Sequence, residues 1–60
     1  MTMLDYAKIA AFLAAERKAL HLTQQEVAEK LSVSFQAVSK WENGTLPSLE
    51  ILTELAELYQ

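Results

Sequence analysis

The chain has no cysteine, one glycine, one proline and no long apolar run. Without cysteine, disulfides and thiolate metal sites are excluded, which fits a reducing compartment. So little Gly and Pro argues against disorder and against a turn-rich β architecture. No apolar stretch approaches the ~18 residues that a membrane span needs. Ile9 to Ala15 is apolar, but only Lys8 precedes it and Asp5 lies close by, so it makes a poor signal peptide. Positive charge is also scarce: five Lys and Arg stand against eight Asp and Glu, for a net charge of −3. Taken alone, that balance speaks against nucleic acid. No Gly-rich loop, nucleophile constellation or metal-ligand set is present. His21 is the one histidine, with no cysteine or acidic cluster beside it. Glu50, Glu54 and Glu57 read as a solvated face rather than a catalytic pair, so no enzyme and no cofactor are expected.

What is present is one small domain over residues 1–60, 52% hydrophobic. At this size folding buries only about 60% of the unfolded surface, so stability is marginal. The charge is unevenly spread. Residues 1–16 carry −1, residues 17–44 carry +1 and residues 45–60 carry −3.

Four helices read out, with no strand signal and no internal repeat. The first runs from Leu4 or Asp5 to Leu20 and is rich in Ala, the strongest helix former. Tyr6, Ile9, Leu13 and Leu20 recur near helical spacing, with Phe12 beside them. His21 ends it in a position that favours a left-handed backbone. The second helix opens on Thr23-Gln24-Gln25-Glu26, a capping box in which the Thr hydroxyl and the Glu carboxylate each satisfy a backbone N–H. Val27, Ala28 and Leu31 form its inner face, and Ser32-Val33 makes the turn. Ser34 caps a third helix that runs to about Asn43, with Gly44 as its left-handed terminator. Ala37, Val38 and Trp41 face inward there. Ser48 caps the fourth helix, Leu49 to Tyr59. Leu49, Leu52, Ala56 and Tyr59 make one apolar stripe, and Ile51, Leu55 and Leu58 make a second. A surface helix needs only one. The second stripe implies a missing fifth helix, a dimer partner or both. The end of the chain directly after a helix reads as the N-terminal part of a longer protein.

The matching residues are Arg17, the LTQQEVA of Leu22 to Ala28, Val33-Ser34, Val38-Ser39, Trp41-Glu42-Asn43-Gly44 and Pro47-Ser48. Through them the chain resembles the phage repressor/Cro type of helix-turn-helix domain, the XRE family. The resemblance implies an all-α, lambda-repressor-like bundle of four helices with the fifth missing. It implies a DNA-binding domain of a cytoplasmic, bacterial or phage-type transcriptional regulator, with the third helix in the major groove of double-stranded DNA. Most members are dimers, and Ile51, Leu55 and Leu58 or a further C-terminal segment would supply the contact. The family has Gly where this chain has Ser32. A left-handed backbone there would cost of the order of 1 kcal/mol relative to Gly.

On this resemblance the DNA-facing residues are Gln24, Ser34, Phe35, Gln36, Ser39, Lys40, Asn43 and Thr45. Gln24 holds a phosphate at a helix N-terminus and braces the third helix. Gln36 suits adenine, and Lys40 suits guanine or a phosphate. Phe35 either meets a thymine methyl or folds back beside Leu31 or Val33. Asn43, the N–H groups after the third helix and, more weakly, Thr45 meet the phosphate backbone. Arg17 and Glu42 are expected as a structural ion pair. A second reading makes the chain a protein-interaction module, of antitoxin, coactivator or targeting type, acting through its acidic fourth helix.

Overall fold

The computed structural model describes residues 5–60. The alternative first residue, Leu4, lies outside the described residues. Four helices follow one another: α1 (Tyr6–Ala19), α2 (Gln24–Leu31), α3 (Phe35–Trp41) and α4 (Leu49–Leu58). No strand occurs among the described residues. Each start is fixed by a side chain. Asp5 caps α1 by accepting from the Lys8 N–H, and Ser48 caps α4 by accepting from the Ile51 N–H. Thr23 and Glu26 form the capping box of α2. Ser34 caps α3 by accepting from the Ala37 N–H.

Three helix ends share one device. The N–H groups of Leu22, Val33 and Thr45 reach back to the carbonyls of Arg17, Ala28 and Lys40. This is the Schellman pattern, which needs a residue with positive φ just before the donor. That residue is His21 (φ 59°), Ser32 (φ 58°) and Gly44 (φ 112°) in turn. Only the last is the residue type that adopts positive φ without a Cβ penalty. α3 ends at Trp41, two residues earlier than the sequence pattern gave, because the chain tightens into a turn from Glu42 onward.

The tightest helix packing is between α2 and α3. Their inner residues Val27, Ala28 and Val38 join Leu13 of α1 and Leu55 of α4 in a fully buried core. Leu31, Val33 and Trp41 pack around it. Burying a side chain such as Val27 or Val38 contributes roughly 1.5–3 kcal/mol.

Two expectations about the outer helices are corrected. On α1 the buried residues are Ala10 and Leu13, while Tyr6 and Leu20 are exposed. Both lie at the ends of the helix, beyond the reach of the core. On α4 the expected roles of the two stripes are largely reversed, although Tyr59 of the first stripe also packs against the core. Ile51, Leu55 and Leu58, taken from sequence as a spare dimer face, turn toward the domain's own core. Leu49 is 80% exposed and Ala56 is also exposed. Periodicity gives both stripes equal weight. Which one faces inward depends on how the Leu46-Pro47 connector, with Pro47 buried, delivers α4 to the bundle.

Candidate nucleic-acid interface

The outer face of α3 begins at its cap. Ser34 is exposed, and its hydroxyl accepts from the Ala37 N–H at 3.2 Å. Phe35 is 45% exposed, so its ring is not folded into the core. Gln36 and Lys40 are exposed one helical turn apart. Ser39 is half-buried and tied into the helix end: the Asn43 amide donates to the Ser39 carbonyl at 2.7 Å and to its hydroxyl at 3.4 Å. Thr45 is exposed.

The backbone N–H groups after α3 are not free, contrary to the sequence expectation. Those of Asn43, Gly44 and Thr45 donate to the carbonyls of Lys40, Trp41 and Lys40. The turn consumes these three.

Behind this face sits a polar lock. Arg17 donates from Nε to Glu42 Oε2 at 2.7 Å and from Nη2 to Glu42 Oε1 at 2.9 Å. Its Nη1 donates to the Leu22 carbonyl at 2.9 Å. Gln24 Nε2 donates to the same Glu42 Oε1 at 2.9 Å. The side chains of Arg17 and Glu42 are only 12% and 6% exposed. One carboxylate thus joins the end of α1, the start of α2 and the end of α3. Burial pushes the Glu42 carboxyl up, but hydrogen bonds from Arg17 and Gln24 and nearby positive charge outweigh it, so its pKa lies below the ordinary value. The bond to Glu42 raises the Arg17 guanidinium further. Burial and the Glu42 charge raise the Tyr59 phenol. The Leu22 carbonyl has no signal in the sequence, because any residue carries one there.

Gln24 is therefore part of this lock, with one amide hydrogen used inside the domain. At the start of α2 the Glu26 N–H donates to the Thr23 hydroxyl and the Thr23 N–H to the Glu26 carboxylate. These bonds hold the Glu26 carboxyl below its usual range. Lys30 and Lys40 are exposed, so the cationic groups of the two-helix unit face solvent, and Lys18 at the end of α1 is exposed as well. No group of three or more His, Cys, Asp or Glu side chains among the described residues is arranged for a metal ion. No described helix is long and apolar enough to cross a membrane.

A short helix capped by Thr, a left-handed turn and a second helix packed against it make one unit, and a family profile described as Helix-turn-helix matches residues 13–60. The chain belongs to the helix-turn-helix family. Among curated relatives, this helix-turn-helix chain is 37% identical over 51 residues to the cryptic phage CTXphi transcriptional repressor RstR of Vibrio cholerae, covering 83% of this chain and 46% of that protein. It is 42% identical over 57 residues to the ImmF control region 10 kDa protein of Bacillus phage phi105, covering 93% of this chain and 63% of that one. The chain thus spans less than two thirds of the length of either relative. No solved structure gives a significant match.

Proposed function

We propose that the chain is the sequence-specific DNA-binding unit of a transcriptional regulator, with the outer face of α3 set into the major groove. The observation that carries this reading is the exposed pair Gln36 and Lys40 on the second helix of a rigidly locked helix-turn-helix. Gln36 pairs with an adenine edge, and Lys40 donates to guanine or to a phosphate. The Phe35 ring covers a thymine methyl. Ser34 and Ser39 flank them. Gln24 and Thr45 position the domain on phosphates through the donors their internal bonds leave over, and Asn43 joins them by giving up its long 3.4 Å bond to the Ser39 hydroxyl. Phosphate contacts set position, and base-edge contacts set sequence. One relative, named as a transcriptional repressor, supports the same reading.

The test uses duplexes recovered from a randomised pool by this chain. Lys40→Ala is expected to weaken every recovered sequence alike if Lys40 meets phosphate. Gln36→Ala is expected to relax preference at one base position. If both variants bind the recovered site as the parent does, the face is wrongly assigned.

A second reading, a protein-interaction module acting through α4, draws on the exposed Leu49 beside exposed Glu50, Glu54 and Glu57. DNA affinity that falls as salt is raised favours the first reading. Indifference to DNA favours the second.

A further inference from the structure

Asn43 is the one asparagine of the chain, and the one glycine, Gly44, follows it. With no Cβ on the glycine, its backbone nitrogen can approach the asparagine side chain closely. Asn43 is exposed, and a Cβ built at Gly44 would meet nothing within 4 Å, so the pair stands in open space. The Gly44 N–H makes the longest main-chain bond of its turn, 3.5 Å to the Trp41 carbonyl, against 3.1 Å and 2.9 Å for those of Asn43 and Thr45. That length lies outside the range of a good N–H···O bond, so little restrains the nitrogen. The opposing restraint is on the side chain, whose amide donates to the Ser39 carbonyl at 2.7 Å. An exposed bond of this kind is a modest restraint, because water replaces it.

We propose that Asn43 is a deamidation site and that its conversion switches off the face beside it. The Gly44 nitrogen loses its proton to solvent and bonds to Asn43 Cγ. The Cγ–Nδ2 bond breaks, and Nδ2 takes up a proton and leaves as ammonia. Water then opens the cyclic imide at either carbonyl. The product is aspartate, or isoaspartate with the main chain rerouted through the side chain. Water is consumed, ammonia is released, and nothing is oxidised or reduced.

Either product undoes the part played by Asn43. A carboxylate has no N–H for the Ser39 carbonyl. It also sets a negative charge just past the C-terminus of α3, where the helix dipole is already negative. Isoaspartate further adds a methylene to the main chain, inside the turn that the Thr45 N–H closes on the Lys40 carbonyl. The chemistry stands apart from the DNA reading. The loss of DNA binding rests on it, because it takes Asn43 to face a phosphate.

The test holds the purified chain at mildly alkaline pH over days. Peptide mass mapping follows Asn43, and enzymatic methylation detects isoaspartate. Both products are expected to accumulate, faster as the pH rises, because the attacking nitrogen must lose its proton. Gly44→Ala is expected to slow conversion severalfold, since a Cβ crowds that nitrogen. Asn43→Gln needs a larger ring and is expected to stay intact over the same period. Asn43→Asp is expected to fold by circular dichroism and to melt below the parent. It is expected to bind the recovered duplex about tenfold more weakly or worse, the effect of one lost hydrogen bond to a charged group. A folded parent that keeps Asn43 intact, while a peptide of Val38 to Ser48 converts alongside it, would overturn the site. An Asn43→Asp variant that melts and binds as the parent does would overturn the switch. If Gln36→Ala and Lys40→Ala bind as the parent does, the DNA reading has failed, and mass mapping and the melt still decide the site.

Discussion

Glu42 is the residue on which the orientation of α3 depends, and its removal gives a worked test. It accepts two hydrogen bonds from Arg17 and one from Gln24, with its side chain almost fully enclosed. Glu42→Ala leaves the Arg17 guanidinium buried, with the Leu22 carbonyl as its remaining partner. Breaking one side of a buried pair costs roughly 3–5 kcal/mol. A domain of this length is stable by about 3–9 kcal/mol if it follows the per-residue norm. The loss is therefore about the whole stability at the lower end of that range and about half of it at the upper end, and the variant is expected to unfold at much lower urea than the parent. Glu42→Gln keeps the shape and one acceptor, and is expected to lose about 2 kcal/mol, the value of a hydrogen bond to a charged group. Arg17→Met combined with Glu42→Leu removes both charges, and is expected to be more stable than Glu42→Ala by at least about 2 kcal/mol. Urea titration followed by circular dichroism measures all three. A loss below about 1 kcal/mol in Glu42→Ala would match an exposed pair and would refute the desolvated lock. The acid response has a definite sign. The Glu42 pKa is lower in the folded chain than its ordinary value of 4.5, so the unfolded chain binds that proton more tightly. Its stabilisation is complete above about pH 4.5 and is lost as the pH falls through the lower, folded value. Glu42→Gln is expected to flatten that part of the acid transition.

The strained turn offers a gain: Ser32→Gly relieves a side chain at φ 58° and is expected to add about 1 kcal/mol, raising Tm by roughly 4–8 °C in a thermal melt. Gly44→Ala goes the other way. It introduces a Cβ at φ 112°, and a lower Tm by calorimetry is the expected result even though open space surrounds the site. Thr23→Ala removes the cap that satisfies the Glu26 N–H and is expected to cost about 1 kcal/mol in urea titration. DNA affinity measured across a salt series is expected to give a shallow slope of log K against log salt, on the order of −0.9 for each phosphate neutralised, because few exposed lysines lie near α3.

The caps were legible because each is a local event. Asp5, Thr23, Ser34 and Ser48 bond to a backbone N–H three residues on, a reach the sequence itself specifies. The left-handed turns at His21 and Gly44 were legible for the same reason, each standing one residue beyond a helical pattern, whereas at Ser32 only the resemblance, through the family's Gly, pointed to one. The outer residues of α3 were legible by subtraction, once Ala37, Val38 and Trp41 were assigned inward. The occupation of the N–H groups after α3 was missed, because a Schellman turn is a main-chain arrangement that no side chain announces.

The order of helices, their starts and the polar face of α3 follow from the sequence alone, since they rest on contacts spanning three to five residues. The choice between the two stripes of α4, and with it the exposure of Leu49, was decided only in three dimensions. Both stripes carry similar apolar residues in the sequence, so local patterning holds them nearly equal. The connector through Pro47 and the fit of Leu55 against Leu13 and Val27 separate them.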